Sequence, residues 1–548
     1  MGNTMKITYE KRDGKTYAYR CTSKRVPGKP YPVSEKEYLG AVDPGTGNII
    51  PKKVAQDGLK FMLKDGSFRT RDYGNVLLAK HVIDEIKIRE DLEMSFGNAT
   101  PQILALATAQ AISPTPFMDI EVVMENTCIP QMMNVDENIF SSQRLSEAVK
   151  ILGEADGCTE DLFELRVKRA SGAFLYDMTS QSTYSGMNGM AEFGKNRDNE
   201  HLKQMNIGMA TTFEGDPVAF DIFPGSISDT VTLKRFVDNM KRRSPGCRIV
   251  IDRGFESAGN VADMMSEGID FIMPCTVVSD RIKKLLTDFS PYVSVSKYDR
   301  LHNGHVYSVM ERELGIRAVR DGTDTKFEYV NDDEQNFSDC EYRVKAYVCF
   351  DSRKRSDDEQ ELKTALIQKM RELNGKKFDD PAVSFSNKTG WMKKYLEYTV
   401  DENGIMHVEH KNNAMTFFRN RAGMFIMLTP NADWDTVMTS YDARNSIETA
   451  FDVYKNDLDG RRGRTGDPVR AKGRFLIKFI ALMMRVKMQR VISKSNIRDL
   501  TVDNALLSAS TYKVIVNGEH KVRTEKTKRV RDIFKLFEIK EPEQIKWV

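Results

Sequence analysis

The chain has 548 residues and a net charge of +3, with 40% hydrophobic and 29% charged residues. This composition is that of a globular protein of several domains, and it excludes fibrous, collagen-like and largely disordered classes. No segment approaches the roughly 20 apolar residues that span a bilayer, and we expect no secretory signal. The seven cysteines form no CxxC pair, which indicates a reducing compartment rather than a disulfide framework. We therefore expect a cytoplasmic protein.

Positive charge is concentrated in three blocks of the chain. Residues 1–72 carry a surplus of seven positive charges, residues 461–478 hold seven basic residues against one acidic, and residues 521–540 hold eight against three. Any one block is explained by ordinary solvated surface. Together, in a nearly neutral protein, they indicate a polyanionic partner.

Residues 1–165 are predicted to form an N-terminal region of β-hairpins and helices. Strands at 6–9 and 16–19 flank an Asp13-Gly14 turn, which is a strong hairpin signal, and residues 43–48 mark a second turn. Helices are expected over 75–112, with a break at Pro101, and over 137–153.

Residues 166–278 follow a mixed α/β order. Strands are expected at 173–177, 205–213, 217–223, 248–252 and 269–274, and helices at 228–243 and 258–268. Residues 279–422 interrupt this order with strand-like runs and a capped helix at 357–374, so we expect an inserted β-rich subdomain. Residues 423–500 resume the α/β order with a strand at 423–428 and helices at about 437–459 and 468–492. Residues 501–548 form a basic C-terminal tail.

The helix predicted over 437–459 carries four polar side chains along one face. At 100° per residue they share an arc of roughly 60°, and an apolar stripe lies directly beside them. The polar residues are Tyr441, Arg444, Glu448 and Lys455, and the apolar ones are Ile447, Phe451, Tyr454 and Leu458. One interpretation is surface charge with an Arg444–Glu448 pair at i and i+4. The other is a helix that presents its polar face along a cleft.

Asp177 and Asp252 favour the second interpretation, a helix along a cleft, because each is predicted to end a buried strand. Carboxylates at strand ends and on an adjoining helix converge on one point. Three such groups, Asp177, Asp252 and Glu448, repel one another unless a cation neutralises them. Oxygen ligands of this kind suit Mg²⁺, with Mn²⁺ as a substitute. Two such ions about 4 Å apart activate a water or a 3′-hydroxyl at a phosphodiester, and Arg444 and Lys455 are placed to hold phosphates.

Three motifs in this order resemble those of a known enzyme family. Tyr441-x₂-Arg444-x₃-Glu448-x₆-Lys455 matches, at every spacing, the YREK signature of DDE transposases of the IS4-type superfamily. Asp252-Arg253-Gly254-Phe255 is similar to the second-aspartate motif of that family, and residues 176–180 resemble its first-aspartate strand. The segment 455–484, with Arg461 and Arg462, looks most like the IS1634 branch. The resemblance covers roughly residues 170–490.

The resemblance implies an α/β fold. It comprises an RNase H-like catalytic core with a β-rich α+β insertion, and a β-hairpin/helical N-terminal region. It also implies cut-and-paste transposition, in which hydrolysis at a transposon end frees a 3′-hydroxyl that later joins target DNA. In well-studied relatives a hairpin forms and reopens between these steps. By the same likeness, Asp177, Asp252 and Glu448 are catalytic and bind the metal ions.

The implied partner is double-stranded DNA, as transposon ends and as target. A homodimer would bind it in a prokaryotic, nucleoid-associated setting, and we favour the N-terminal region for gripping the ends. The residues expected to contact DNA are Tyr441, Arg444, Lys455, Arg253, Arg461 and Arg462. Relatives stack a flipped base on an aromatic residue, for which Trp434 and Trp391 are candidates, although a core or surface role suits both better. Two alternatives stay open: an RNase H-like nuclease without strand transfer, and an inactive domesticated DNA-binding protein.

Overall fold

The computed structural model describes residues 5–543, apart from positions 13, 25–32, 43, 46–48, 52–67, 171, 322–323 and 518–519. The described chain is a mixed α/β protein. Its strands, numbered in chain order, are β1 (Met5–Arg12), β2 (Lys15–Lys24), β3 (Val33–Val42), β4 (Ile49–Pro51), β5 (Arg69–Asp72), β6 (Ala173–Thr183), β7 (Lys203–Thr212), β8 (Pro217–Pro224), β9 (Arg248–Ile251), β10 (Asp270–Pro274), β11 (Asp299–His302), β12 (His305–Asp321), β13 (Asp324–Asn331), β14 (Tyr342–Phe350), β15 (Lys376–Lys377), β16 (Leu396–Val400), β17 (Ile405–His410), β18 (Met424–Thr429), β19 (Arg462–Gly463), β20 (Lys513–Asn517) and β21 (His520–Arg523).

The α-helices of the described residues differ widely in length, from 5 residues to 26. They are Gly74–Glu85, Ile88–Phe96, Thr100–Ile112, Ile120–Asn126, Ile129–Met133, Ser142–Glu154, Asp156–Ala170, Asp229–Arg243, Ala258–Ser266, Asp280–Phe289, Ser352–Leu373, Pro381–Thr389, Asn412–Arg419, Trp434–Asp442, Asn445–Asp452, Pro468–Ser493, Val502–Ser510 and Lys528–Leu536. Residues 75–112 are helical as predicted and form three helices, separated at Lys87 and Gly97, which both adopt positive φ. Pro101, where the break was predicted, lies in the first turn of the third helix. None of these helices has the length and apolar character needed to cross a membrane.

The chain divides into two compact units, and the first combines both chain ends. It contains residues 1–85, 116–142 and 489–548. The predicted hairpin is present as β1 and β2, which begin an antiparallel sheet of β1 to β4, although Asp13 of its turn and part of the 43–48 turn lie outside the described residues. In a second sheet, β20 pairs with β21 and with β5. The basic segment after residue 500 is therefore folded against residues from the N-terminal part of the chain.

The second unit contains residues 86–115 and 143–488 and is built around β6. β7 and β8 follow β6 as an antiparallel meander, whereas β9 and β10 run parallel to it on the other side. The resulting order, β8-β7-β6-β9-β10, is the RNase H-like arrangement that the resemblance implies. All five strands predicted for residues 166–278 are present. The first of them, β6, is longer than predicted. It continues to Thr183 and is buried along nearly its whole length.

The insertion continues the core sheet instead of forming a separate body. β18 pairs with β10 along one edge and with β14 along the other, and β12 joins β14 to β11 and β13. A distal part, with the small sheet β15-β17-β16, encloses its own apolar core around Leu366, Leu373, Leu396 and Met406. The insertion is therefore β-rich with helices, as predicted.

Candidate active site

Asp177 and Asp252 lie side by side at two neighbouring parallel strands of the second unit. Tyr176 of β6 is opposite Ile251 of β9, so Asp252, which directly follows β9, comes next to Asp177. Asp177 does not end its strand as predicted, because it pairs with Met209 of β7 and β6 continues to Thr183.

Burial raises the pKa of Asp177 to about 6, and the negative charge of Asp252 adds to this shift. The Met178 N–H, which donates to Asp177 Oδ1 at 2.7 Å, lowers the pKa in part. Asp177 therefore lies where a nearby positive charge is favourable.

Aromatic packing behind the strand fixes the position of Asp177. The ring of Tyr176 stacks on Phe236 with 3.7 Å between centroids and contacts Phe255 at 5.4 Å. Gly208 on β7 makes room for this ring, because a Cβ there would lie 2.2 Å from Tyr176 Oη. The phenol is buried, and its burial raises the pKa of Tyr176 well above the ordinary value. The aspartate is thus carried by a tightly packed segment of β6.

The prediction of one continuous helix over 437–459 is wrong. Two helices, Trp434–Asp442 and Asn445–Asp452, are joined by a tight turn in which Arg444 N–H donates to Tyr441 O at 3.0 Å. A π-helical turn, Val453–Asp457, follows, and Leu458 N–H donates to Val453 O at 3.1 Å. The predicted apolar stripe is nevertheless buried: Ile447, Phe451, Tyr454 and Leu458 all face the interior. Single π-helical turns of this kind are frequent at functional sites.

Arg444 bridges two of the candidate carboxylates. One guanidinium nitrogen, Nη2, lies 3.0 Å from Glu448 Oε1 and 3.4 Å from Asp252 Oδ2. Those two oxygens are therefore no more than about 6.4 Å apart, the sum of the two distances. Burial acts to lower the pKa of Arg444, but the surrounding negative charge, chiefly that of Asp252, outweighs it and raises the pKa above its usual value. Its Nε is buried without a hydrogen-bond partner among the described residues.

The three carboxylates supply only oxygen donors, which fits Mg²⁺ or Mn²⁺. The raised pKa of Asp177 fits the same conclusion, since a divalent cation would offset its burial and the repulsion from Asp252. In the described part of the chain, no group of three His, Cys, Asp or Glu side chains is already arranged as a metal site. Instead, the Arg444 guanidinium is the cation that lies between Asp252 and Glu448.

Two acidic residues beside this centre were not predicted from the sequence. Lys455 Nζ donates to both oxygens of Asp198, at 2.8 and 2.9 Å, and Arg461 lies 3.8 Å from the same carboxylate. Arg462 donates twice to Glu200, at 2.5 and 2.6 Å. Arg444, Lys455, Arg461 and Arg462, four of the predicted DNA-contacting cations, are therefore paired with carboxylates of the same chain. The only sequence signal was a polar run, 196–201, between two buried strands.

The remaining predicted residues lie around the centre or away from it. Tyr441 is half-buried at the end of its helix, and Arg253 is exposed directly after Asp252. Trp434 is buried against Tyr307 and Tyr347, with ring centroids 5.8 and 5.9 Å away. Trp391 lies on the surface of the insertion. Trp434 thus has a core position and Trp391 a surface position.

Comparison with known proteins identifies the family. A family model described as a transposase DDE domain matches residues 172–484, which is more than half of the chain and includes all three carboxylates. No curated protein matches the chain significantly. Among solved structures, the chain is similar to a piggyBac transposase in a synaptic complex with hairpin DNA, at 9% identity and a TM-score of 0.33, over 85% of this chain and 76% of that one. From the extent of the family match, this chain belongs to the DDE-domain transposases.

Proposed function

We propose that this protein is a cut-and-paste DNA transposase of the IS4-type superfamily, most like its IS1634 branch. The observation that carries the proposal is the cluster of Asp177, Asp252, Glu448 and Arg444 within the family-matched region. The YREK spacing of Tyr441, Arg444, Glu448 and Lys455 supports the assignment to this superfamily.

In this proposal Asp177, Asp252 and Glu448 hold two Mg²⁺ ions, for which Mn²⁺ substitutes. Bound there, the ions would activate the attacking oxygen and stabilise the leaving oxygen of a phosphodiester. Arg444 would turn from the carboxylates to a DNA phosphate, because the ions then supply the positive charge that it supplies in their absence. The other residues that would contact DNA are Tyr441, Lys455, Arg253, Arg461 and Arg462.

The proposed chemistry has two steps of the same type. In the first, a water oxygen bonds to the phosphorus at the transposon end, and the bond from that phosphorus to the 3′ oxygen breaks, which leaves a 3′-hydroxyl. In the second, that hydroxyl loses its proton and bonds to a target phosphorus, while the target strand's own bond from phosphorus to 3′ oxygen breaks. Attack of that hydroxyl on the opposite strand, which forms a hairpin in well-studied relatives, would be a step of the same type.

The proposed assembly is a homodimer that holds two transposon ends. The N-terminal region, residues 1–165, would provide sequence-specific contacts to those ends. Lys455 is paired with Asp198, and Arg462 is paired with Glu200. When DNA binds, its phosphates must therefore replace these two carboxylates. Binding should accordingly weaken steeply with salt. We place the protein on DNA in the cytoplasm of a prokaryotic cell.

The test uses purified protein and a labelled duplex that carries the inverted repeats flanking the gene. With Mg²⁺ or Mn²⁺, wild-type protein should cut the end and join it to a supercoiled plasmid. Asp177→Asn, Asp252→Asn and Glu448→Gln should each abolish both products while end binding stays nearly intact. The matched control is Asp435→Asn, which changes an exposed carboxylate on the neighbouring helix.

Three results would contradict the proposal in different ways. Cleavage without joined product would identify a nuclease of the same fold. Specific end binding without cleavage by wild-type protein in either metal would identify an inactive DNA-binding protein. Cleavage that survives one of the three substitutions would remove that residue from the catalytic set.

A further inference from the structure

The helix Lys528–Leu536, which we call the basic helix, has apolar and basic side chains on opposite faces. Its buried residues are Val530, Ile533 and Phe534, and its exposed charged residues are Lys528, Arg529, Arg531 and Lys535, with one acid, Asp532. At 100° per residue, Lys528, Arg531 and Lys535 share an arc of roughly 60°. This arc lies on the side away from the buried residues, so the three cations face solvent together.

The cations of the basic helix keep their charge uncompensated. Just before the helix, Arg523 and Lys526 lie 3.9 and 2.6 Å from the carboxylate of Glu541. In the part of the chain that the structure describes, none of the four cations on the helix itself pairs with a carboxylate in this way. Arg531 Nη1 donates to Lys526 O at 2.7 Å, and Arg529 Nη2 donates to a backbone carbonyl at 3.4 Å. A carbonyl is neutral, so these bonds hold the guanidinium groups without cancelling their charge.

The basic block at 461–478 is different, because the chain itself neutralises most of it. Five of its cations each pair with an acidic side chain, and these are Arg461, Arg462, Arg464, Arg470 and Lys472. Uncompensated positive charge attracts a polyanion, whereas paired charge must first lose its partner. Of these two basic surfaces, the basic helix is therefore the one that is ready to bind.

The stability of the helix does not explain its first two cations. Thr527 is the N-cap, and its side chain accepts a hydrogen bond from Val530 N–H at 3.3 Å. Lys528 and Arg529 follow directly, in the first turn, where no acidic residue is present. Positive charge at this end of a helix opposes the helix dipole. These two residues thus weaken the isolated helix, and an external anion would offset that effect.

The packing of the basic helix excludes a lipid bilayer as its partner. Basic amphipathic helices bind membranes by burying their apolar face among the lipids. Here that face is occupied, because the basic helix packs against helix Val502–Ser510. The ring of Phe534 also lies 6.0 Å from that of Tyr512, between centroids. Only the charged face is left for a partner, which suits a phosphate backbone.

Resting on the transposase function proposed above, we propose that the basic helix binds the phosphate backbone of duplex DNA. It lies outside the family-matched residues 172–484 and in the same unit as residues 1–85, so its role is in binding and not in the chemistry. From Lys528 to Lys535 the helix rises by about 10 Å. One strand of DNA carries a phosphate about every 3.4 Å, so this length matches about three phosphates. Such contacts position a protein on DNA without reading its sequence.

The test measures DNA binding by the full-length protein after three cations are removed together, in Lys528→Gln/Arg531→Gln/Lys535→Gln. Fluorescence anisotropy in EDTA, at several salt concentrations, follows a labelled duplex that holds the inverted repeat and an unrelated duplex of equal length. The triple variant should bind both duplexes more weakly by the same factor, roughly tenfold or more. The slope of the logarithm of the binding constant against the logarithm of salt concentration should fall by about three.

Two variants control for net charge and for folding. Lys354→Gln/Lys363→Gln/Lys369→Gln removes the same charge from helix Ser352–Leu373, where each lysine pairs with a carboxylate, and it should bind like wild-type. Lys528→Arg/Lys535→Arg keeps the charge of the basic helix and should also bind like wild-type. The single variants Lys528→Gln and Lys535→Gln should each lower the slope by about one.

Unchanged affinity and slope in the triple variant would overturn the proposal, and normal cleavage and joining by wild-type protein would show that only the helix had been misassigned. A loss confined to the inverted-repeat duplex would also overturn it, because the helix would then read sequence. Weaker binding to an RNA duplex or to anionic vesicles, with DNA binding unchanged, would assign the helix to that partner instead. A reduced slope in a protein that cuts no DNA would uphold the basic helix and reject the transposase function.

Discussion

Replacing Asp177 with asparagine should stabilise the metal-free protein while it abolishes cleavage. The pKa of Asp177 is about 6 against an ordinary value of 3.8, so the folded protein binds this proton more tightly than the unfolded chain. A difference of about two pKa units corresponds to roughly 3 kcal/mol at pH 7. This is an upper value, because the residue is partly exposed. Keeping Asp177 charged thus opposes folding by up to that amount, and asparagine removes the cost.

The sign of the effect can be followed with pH. Below about pH 4 Asp177 is protonated in both the folded and unfolded states, so it imposes no cost. Between pH 4 and pH 6 the unfolded chain releases the proton first, and wild-type stability falls as the pH rises. The free-energy cost of charging Asp177 in the folded protein reaches about half of its full value at pH 5 and is fully present above pH 6. Asp177→Asn should lack this part of the pH dependence.

The assay is urea unfolding in EDTA at pH 5 and pH 7.5. Asp177→Asn should exceed wild-type stability at pH 7.5 by up to roughly 3 kcal/mol, and by about half as much at pH 5. Asp263→Asn, at an exposed position, should match wild-type at both. Mg²⁺ should then stabilise wild-type more than Asp177→Asn. Equal stability of Asp177→Asn and wild-type at pH 7.5, or a gain independent of pH, would refute the reasoning.

Three further substitutions probe the neighbouring contacts. Arg444→Gln should tighten Mn²⁺ binding in calorimetry, because a competing cation is removed. It should also weaken binding to the transposon end and reduce the slope of the logarithm of the binding constant against the logarithm of salt concentration by about one. Unchanged metal affinity would show that the arginine does not compete with the metal ion. Asp198→Asn should raise DNA affinity several-fold in gel-shift titrations, whereas a loss of affinity would mean that this carboxylate positions the lysine beside it. Gly208→Ala should cost about 1–3 kcal/mol in urea unfolding, because its Cβ would collide with Tyr176. Gly157→Ala is its control and should not destabilise the protein, because a Cβ at that position would meet no neighbouring segment within 4 Å.

Local patterns predicted the core strands and the neighbouring aspartates well. The short apolar runs before Asp177 and Asp252 predicted β6 and β9, and the parallel pairing of these strands places the two aspartates side by side. The continuation of β6 beyond Asp177 to Thr183 was not predicted. The buried stripe of the Glu448 helix was also predictable, because its apolar residues repeat at helical spacing. These features depend on neighbours in sequence, which a single chain reveals.

What could not be predicted depends on contacts between distant segments. The projection at 100° per residue assumed one regular helix, and it could not foresee the tight turn at Arg444 or the π-helical turn before Leu458. Asp198 and Glu200 lie in a loop without periodicity, and only the folded chain brings them to Lys455 and Arg462. The pairing of β18 with both β10 and β14 is likewise nonlocal.

The double pairing of β18 has a consequence for anyone who wishes to shorten this protein. Strand Met424–Thr429 is apolar and almost fully buried, and β14 covers the side that β10 leaves open. Excision of residues 279–422 would strip that cover and expose a row of unpaired amides and carbonyls, which recruits strands from other molecules. The inserted segment therefore also protects the edge of the core sheet from pairing with strands of other molecules. A shortened protein would need another element that covers β18 if it is to stay monodisperse.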